Sequence, residues 1–162
     1  MYSSDLYRQI IMDHYQNPRN HRLSEDPDYH TVRLKNPSCG DDITVQVRLC
    51  EGRVADCRQN GTGCSICCSS ASMMSELLQE KSAEEALELI ACFRKMVTGE
   101  PCDQDMLEEA QSLAGVSKLP PRVNCATLAW QAAERGILQA EAADGTADVP
   151  AGELADGIEE AK

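Results

Sequence analysis

Aromatic side chains are nearly missing from this 162-residue chain: one Trp, one Phe and four Tyr make up 4% of it. Its core must therefore be filled by aliphatic residues and methionine. Bases are scarce as well. Fifteen Lys and Arg stand against 27 Asp and Glu, a formal charge of −12, which excludes a nucleic-acid binder, whose phosphates demand a basic surface. No run approaches the roughly 20 apolar residues needed to cross a bilayer, so no membrane role is expected. Met1-Tyr2-Ser3-Ser4-Asp5 has neither the basic nor the apolar region of a secretory signal. A cytoplasmic location is expected. The hydrophobic content of 42% suits one domain with its own core.

Cysteine, by contrast, is abundant. Nine are present, and in a reducing compartment thiols serve metals or catalysis more often than crosslinks. An odd number without a secretory signal argues further against a disulfide framework.

The acidity is concentrated. Residues 140–162 hold Glu141, Asp144, Asp148, Glu153, Asp156, Glu159 and Glu160 against one base, Lys162, and so supply half of the net charge. The remainder of that stretch is mostly Ala and Gly. It buries too little apolar area to offset its ordering entropy, so it reads as an acidic, disordered tail behind a domain of residues 1–139.

Within the domain, the spacing predicts a short helix from Leu6 to Tyr15, stopped near Asn17-Pro18. Residues 31–35 alternate as a strand. Residues 42–50 do so more clearly, with Ile43, Val45, Val47 and Leu49 on one face and Thr44, Gln46 and Arg48 on the other. Glu51-Gly52 suits a two-residue hairpin turn, and a third strand follows from Arg53 to Gln59. Beyond Gly63 the period becomes helical, with Ile66, Ser70, Met73, Met74, Leu77 and Leu78 on one side. Ser82 and Glu85 form a capping box for a helix burying Ala86, Leu89, Ile90, Phe93 and Val97 and ending at Gly99. A shorter helix is expected over 104–113. Pro120-Pro121 opens the last helix, with Leu128, Ala129, Ala132, Ala133 and Ile137 inward. The fold class is α+β: a small three-stranded antiparallel sheet packed against a helical layer.

Three thiols fall at element ends. Cys39 lies in the turn Asn36-Pro37-Ser38-Cys39-Gly40-Asp41, where Pro37 fixes one backbone angle and Gly40 permits an unusual one. Cys64 follows Gly61-Thr62-Gly63 at a strand-to-helix junction, and Cys125 sits in the first turn of the last helix. Helix N-termini stabilise the thiolate, the reactive and metal-binding form. Three thiolates and the Asp41 carboxylate satisfy a tetrahedral zinc, and Arg122, three residues before Cys125, would offset part of their charge. Spacings of 25 and 61 residues between single cysteines are not those of a zinc finger. On spacing alone, each thiol could equally be a small buried hydrophobe.

The motifs add to this. Leu6-Tyr7-Arg8-Gln9-Ile10-Ile11-Met12-Asp13-His14-Tyr15 with Asn17-Pro18-Arg19-Asn20, the Asn36–Asp41 turn, Gly61-Thr62-Gly63-Cys64-Ser65-Ile66 running on to Ser70-Ala71-Ser72-Met73-Met74, and Arg122-Val123-Asn124-Cys125-Ala126-Thr127-Leu128-Ala129-Trp130 together resemble the SufU family. That family is a branch of the IscU/NifU-like scaffold superfamily. The likeness spans residues 5–139. Two details favour the SufU branch: Asn124 stands where scaffolds of the IscU type place a His, and Ser82–Val116 looks like the extra helical segment of SufU-like members. The resemblance implies a SufE/NifU-like fold and zinc held by Cys39, Asp41, Cys64 and Cys125. It also implies zinc-dependent sulfur transfer in iron–sulfur cluster assembly. A pyridoxal-phosphate cysteine desulfurase of the SufS type would donate the persulfide sulfur, with a His of that partner displacing one zinc ligand, and a downstream iron–sulfur scaffold would receive it. Cys39, in the least constrained setting, is the expected acceptor. The competing reading is a scaffold on which the same thiolates hold an iron–sulfur cluster.

Six further thiols, Cys50, Cys57, Cys67, Cys68, Cys92 and Cys102, read mainly as tolerated in a reducing cytosol. Cys67 and Cys68, within a turn of Cys64, could offer alternative ligands. Cys64-Ser65-Ile66-Cys67 spells C-x-x-C, but a thioredoxin-like fold needs strands after that motif and none is expected. His14, His21 and His30 receive no chemical role, and Trp130 is expected in the core or an interface.

Overall fold

A computed structural model describes residues 4–143 and 154–161. The chain opens with α1 (Ser4–Gln16), then β1 (His30–Asn36), β2 (Asp41–Cys50) and β3 (Arg53–Thr62). Next come α2 (Ser65–Leu77) and α3 (Ala83–Val97), a 3-10 segment (Gln104–Lys118), a 3-10 turn (Pro120–Arg122), α4 (Val123–Ala143) and β4 (Glu159–Ala161).

The alternation in β2 is realised. Ile43, Val45 and Val47 are buried on the helix-facing side, while Leu49 is only half-buried because the β2–β3 register shifts between Arg48 and Leu49. The β2–β3 turn holds Glu51 at φ 52° and Gly52 at φ 76°, the two left-handed residues that a tight hairpin needs to match strand twist. On the outer face Gln46 is buried nonetheless. Its amide accepts from the Ser24 N–H (2.6 Å) and donates to the Ser24 carbonyl (2.8 Å), so the polar stretch after α1 lies across that face.

The sheet has four antiparallel strands, in the order β3-β2-β1-β4, and not three. The fourth comes from the stretch read as a disordered tail. Residues 140–143 continue α4, and 154–161 turn back so that β4 pairs with the edge of β1, Lys35 opposite Glu159 and Arg33 opposite Ala161. Composition misled because one apolar residue, Ile158, buried to 7% exposure, and one free strand edge suffice to order a short segment. The rest of that tail, 144–153 and 162, lies outside the described residues.

The helical layer follows the predicted faces. Ser82 Oγ accepts from the Glu85 N–H (3.0 Å) at the start of α3, and the chain leaves α3 through Gly99 at φ 82°. Where a short α-helix was expected over 104–113, the chain forms 3-10 turns as far as Lys118, broken at Glu108 (φ 50°, ψ −127°). Its buried residues Leu107, Ala110, Leu113 and Val116 recur every third position, the period of a 3-10 helix rather than an α-helix. His14 is fully buried; its ring meets Ser72 Oγ at 2.8 Å and Glu109 Oε1 at 3.3 Å, clipping α1 to α2 and to the 3-10 segment.

Trp130 lies in the core. Its ring stacks on Phe93 with centroids 4.0 Å apart; its indole N–H donates to Ser70 Oγ (2.8 Å), and that hydroxyl donates to the Ala126 carbonyl (2.6 Å). The only Trp and the only Phe thus join α3, α4 and α2. Trp130→Ala is expected to cost about 3–5 kcal/mol in urea unfolding followed by circular dichroism. A loss well under about 1 kcal/mol would contradict this packing role.

Candidate metal centre

The centre forms at the end of the sheet where β1 gives way to β2. In the connecting turn the Cys39 N–H donates to the Asn36 carbonyl (3.1 Å) and the Gly40 N–H to the Pro37 carbonyl (3.4 Å). Gly40 has φ 72°, which reverses the chain at little steric cost. Asp41, the first residue of β2, is 1% exposed. Its Oδ1 accepts from the Cys64 N–H (3.0 Å) and its Oδ2 from Asn36 Nδ2 (3.3 Å). Gly63 makes room for it: a Cβ there would stand 2.5 Å from Asp41 Oδ1. At Gly61 (φ 150°) a Cβ would fall 2.0 Å from the Asp42 carbonyl oxygen, so the end of β3 can lie against β2 only with glycine.

Cys125, fully buried at the start of α4, completes a cluster. Sγ of Cys39, a carboxylate oxygen of Asp41 and Sγ of Cys125 all lie within 4.8 Å of one another. Sulfur ligands about 2.3 Å from a tetrahedral zinc stand roughly 3.8 Å apart, so a modest contraction would close these three on one ion. Cys64 borders the cluster without joining it. Its backbone N–H binds Asp41, but its Sγ accepts from the Cys67 N–H (3.4 Å) as the cap of α2. To become the fourth ligand it would exchange that weak cap bond for a metal bond.

The electrostatics suit a cation. Burial, followed by hydrogen bonding to Asp41 and Cys39 and the charge of Cys64, pushes the Cys125 thiol well above its ordinary pKa. Burial thus favours the protonated Cys125 thiol, and a divalent ion bound there would displace that proton. Arg122 is exposed at the rim. Its guanidinium is held charged by a hydrogen bond with Cys125 and by the nearby Cys64 and Cys39. The donor set therefore fits a thiophilic divalent metal.

Asn36 is the residue missed in the sequence. Fully buried, it donates to Asp41 and stands 3.6 Å from Cys125 Sγ, while its Oδ1 accepts from Ser38 Oγ (2.9 Å). An amide immediately before Pro37, ending a strand, was the available signal.

The remaining thiols stand apart. All nine cysteines are free. Burial pushes Cys57 up to about 12 and Cys67 higher still, and Cys68 Sγ donates to the Gly63 carbonyl (3.6 Å). In the C-x-x-C stretch Cys67 meets Cys64 through its backbone N–H, with its own thiol in the core. Neither Cys67 nor Cys68 joins the ligand cluster.

Gly63→Ala is expected to displace the Asp41 carboxylate. Tightly held divalent metal, measured by elemental analysis, should then fall well below the unsubstituted chain while far-ultraviolet circular dichroism stays the same. Full metal content in this variant would show that the carboxylate is not positioned by this glycine.

Known proteins agree with this architecture. The family model for the NifU-like N terminal domain matches residues 6–146. The zinc-dependent sulfurtransferase SufU of Bacillus subtilis (strain 168) is 43% identical over 137 residues, covering 84% of this chain and 92% of that protein. The iron–sulfur cluster assembly scaffold protein IscU of Streptococcus pyogenes serotype M1 is 41% identical, covering 82% of each. Among solved structures, the NifU-like N-terminal protein of Brucella abortus superposes with a TM-score of 0.77 at 20% identity, covering 86% of this chain and 96% of that one; this likeness speaks to the fold alone. The chain belongs to the NifU-like N-terminal domain family.

Proposed function

We propose that this protein is a zinc-dependent sulfur acceptor in cytoplasmic iron–sulfur cluster assembly, taking persulfide sulfur from a SufS-type, pyridoxal-phosphate cysteine desulfurase and passing it to a downstream scaffold. The observation that carries this reading is a convergent thiol–carboxylate–thiol set in which one thiol is half-exposed and another fully buried. Cys39, Asp41, Cys64 and Cys125 would hold the metal. Zinc, when bound, keeps its sulfur ligands deprotonated at neutral pH and has no redox chemistry of its own.

The division of labour follows from burial. Cys125 is sealed beneath the start of α4 and cannot meet a large donor. Cys64 is tied at both ends, its N–H to Asp41 and its sulfur to the α2 cap. Cys39 sits partly exposed on a turn, its sulfur reached by the Ser38 hydroxyl at 4.0 Å and by the Cys125 thiol. In the transfer, the Cys39 thiolate attacks the terminal sulfur of the donor's cysteine persulfide. A new S–S bond forms on Cys39, the donor's S–S bond breaks, and the electron pair leaves on the donor's cysteine as thiolate. Asp41, tied to the Cys64 N–H and to the Asn36 amide, positions the turn, and Arg122 offsets negative charge at the rim.

The competing reading is an iron–sulfur cluster scaffold, as several relatives are named. Asn124 counts against it. Standing where scaffolds of the IscU type carry a His, it spends its side-chain amide on the Asp156 carbonyl (2.8 Å).

Metal content decides between them. The expected product of aerobic purification is colourless with about one zinc per chain; a brown protein with comparable iron and sulfide would favour the scaffold. Mixed with a cysteine desulfurase and cysteine, the zinc form should raise desulfurase turnover and gain one sulfur atom on the Cys39 peptide by mass spectrometry. Cys39→Ser should abolish both effects. Sulfur trapped on Cys64 or Cys125 instead would overturn the assignment of Cys39.

A further inference from the structure

The segment before β4 reaches the metal centre. Residues 155–158 form a turn closed by the Ile158 N–H on the Ala155 carbonyl (3.1 Å). The tip of this turn, Asp156–Gly157, touches the residue preceding Cys125: Asn124 Nδ2 donates to the Asp156 carbonyl (2.8 Å), and a Cβ on Gly157 would stand 3.3 Å from the same nitrogen. Behind the tip, the Ala155 N–H donates to Gln131 Oε1 (3.1 Å) and Arg135 pairs with Glu160 (2.7 Å). Ile158 packs into the core, and Leu154 lies partly buried against it. The strand then pairs antiparallel with β1, so its start lies beside Lys35 and Asn36, at the end of the sheet that carries Cys39.

Two features make this segment a separable ligand of the domain. It lies beyond residues 6–146, the extent of the match to the family. It is also held in the manner of a bound peptide: edge-strand pairing supplies backbone hydrogen bonds, one apolar residue fills a pocket, and charges match. Glu159 lies opposite Lys35 of β1, and Glu160 pairs with Arg135 of α4.

We propose that residues 154–161 are an autoinhibitory strap, docked in cis on the β1 edge and on the start of α4, whose turn narrows the approach of a macromolecular partner to Cys39. A protein that engages the turn of Cys39 broadly must displace the strap or work around it, whereas a small molecule passes. The strap's release exposes the β1 edge and the Asn124 side of the centre together, because the same eight residues cover both.

The test uses the full chain after chelation of metal, so that Cys39 is free to react. Ile158→Asp puts a charge in the strap's apolar pocket. Among the backbone amides of residues 33–35, those that face β4 rather than β2 are expected to exchange slowly in the native chain and fast in the variant. Reaction of Cys39 with a polyethylene-glycol maleimide, resolved by peptide mapping, should rise several-fold in the variant, with little change for N-ethylmaleimide. Should Ile158→Asp loosen the whole molecule, making the buried Cys67 reactive, Glu160→Lys serves instead; it opposes Arg135 without touching the core. Fast exchange at those β4-facing amides in the native chain would show that the strap is not docked. Released amides with an unchanged ratio of the two maleimide rates would show that it does not restrict access. Neither readout depends on what Cys39 accepts, so the proposal stands or falls separately from sulfur transfer.

Discussion

Much of this molecule is organised around a carboxylate that has been taken out of water. Asp41 is buried at the head of β2, with one oxygen on the Cys64 N–H and the other on the Asn36 amide. A buried carboxyl group without hydrogen-bond partners is costly, and here two donors and a glycine are committed to satisfying it. The β3–α2 junction must come close enough for its N–H to reach Asp41, which forbids a side chain at Gly63. Through that one side chain, the β1–β2 turn and the start of α2 are registered against each other, and α4 presents Cys125 to the same point.

The consequence is a site built from element ends contributed by the whole sequence. Asn36, Cys39 and Asp41 come from one turn, Cys64 from the strand-to-helix junction, and Cys125 and Arg122 from the start of α4. The strands and helices behind them are rigid and well packed, with Trp130 and Phe93 stacked at the centre of the helical layer. Such a frame limits how far ligand atoms must move to close on an ion, which is the condition for selective binding by a centre with one carboxylate among its sulfurs.

Legibility in the sequence tracked periodicity. The β2 alternation, the Glu51–Gly52 turn, the Ser82 cap and the inward face of α4 are local signals, and each corresponds to a feature of the fold. What escaped was non-local or used an unusual period. The 3-10 segment announced itself in Leu107, Ala110, Leu113 and Val116, but a spacing of three is easily taken for a loose α-helical face. The fourth strand could not be read from an Ala-, Gly- and acid-rich stretch, because its order comes from the unpaired edge of β1 and a single pocket for Ile158. At the centre, Cys39, Asp41 and Cys125 were visible as residue types at turns and helix starts. The role of Asn36 was not, since it exists only once Cys125, 89 positions away, arrives beside it. Nor could spacing show that the Cys64 sulfur faces the α2 cap.

Restraint is unequal among the three thiols nearest Asp41, and transfer as proposed above would depend on that inequality. A site in which every ligand was buried and hydrogen-bonded would hold its ion and do nothing else. Cys125 is fully buried at the start of α4, whereas Cys64, whose sulfur caps α2, and Cys39, on a turn secured by backbone bonds, are both partly exposed. Exchange at sulfur needs a thiolate that can be reached, and of the two thiols in the Cys39–Asp41–Cys125 cluster only Cys39 is not buried. Asp41 and Cys125 are both buried and fixed by their neighbours, so a displacement of Cys39 alone would leave two members of the cluster in place.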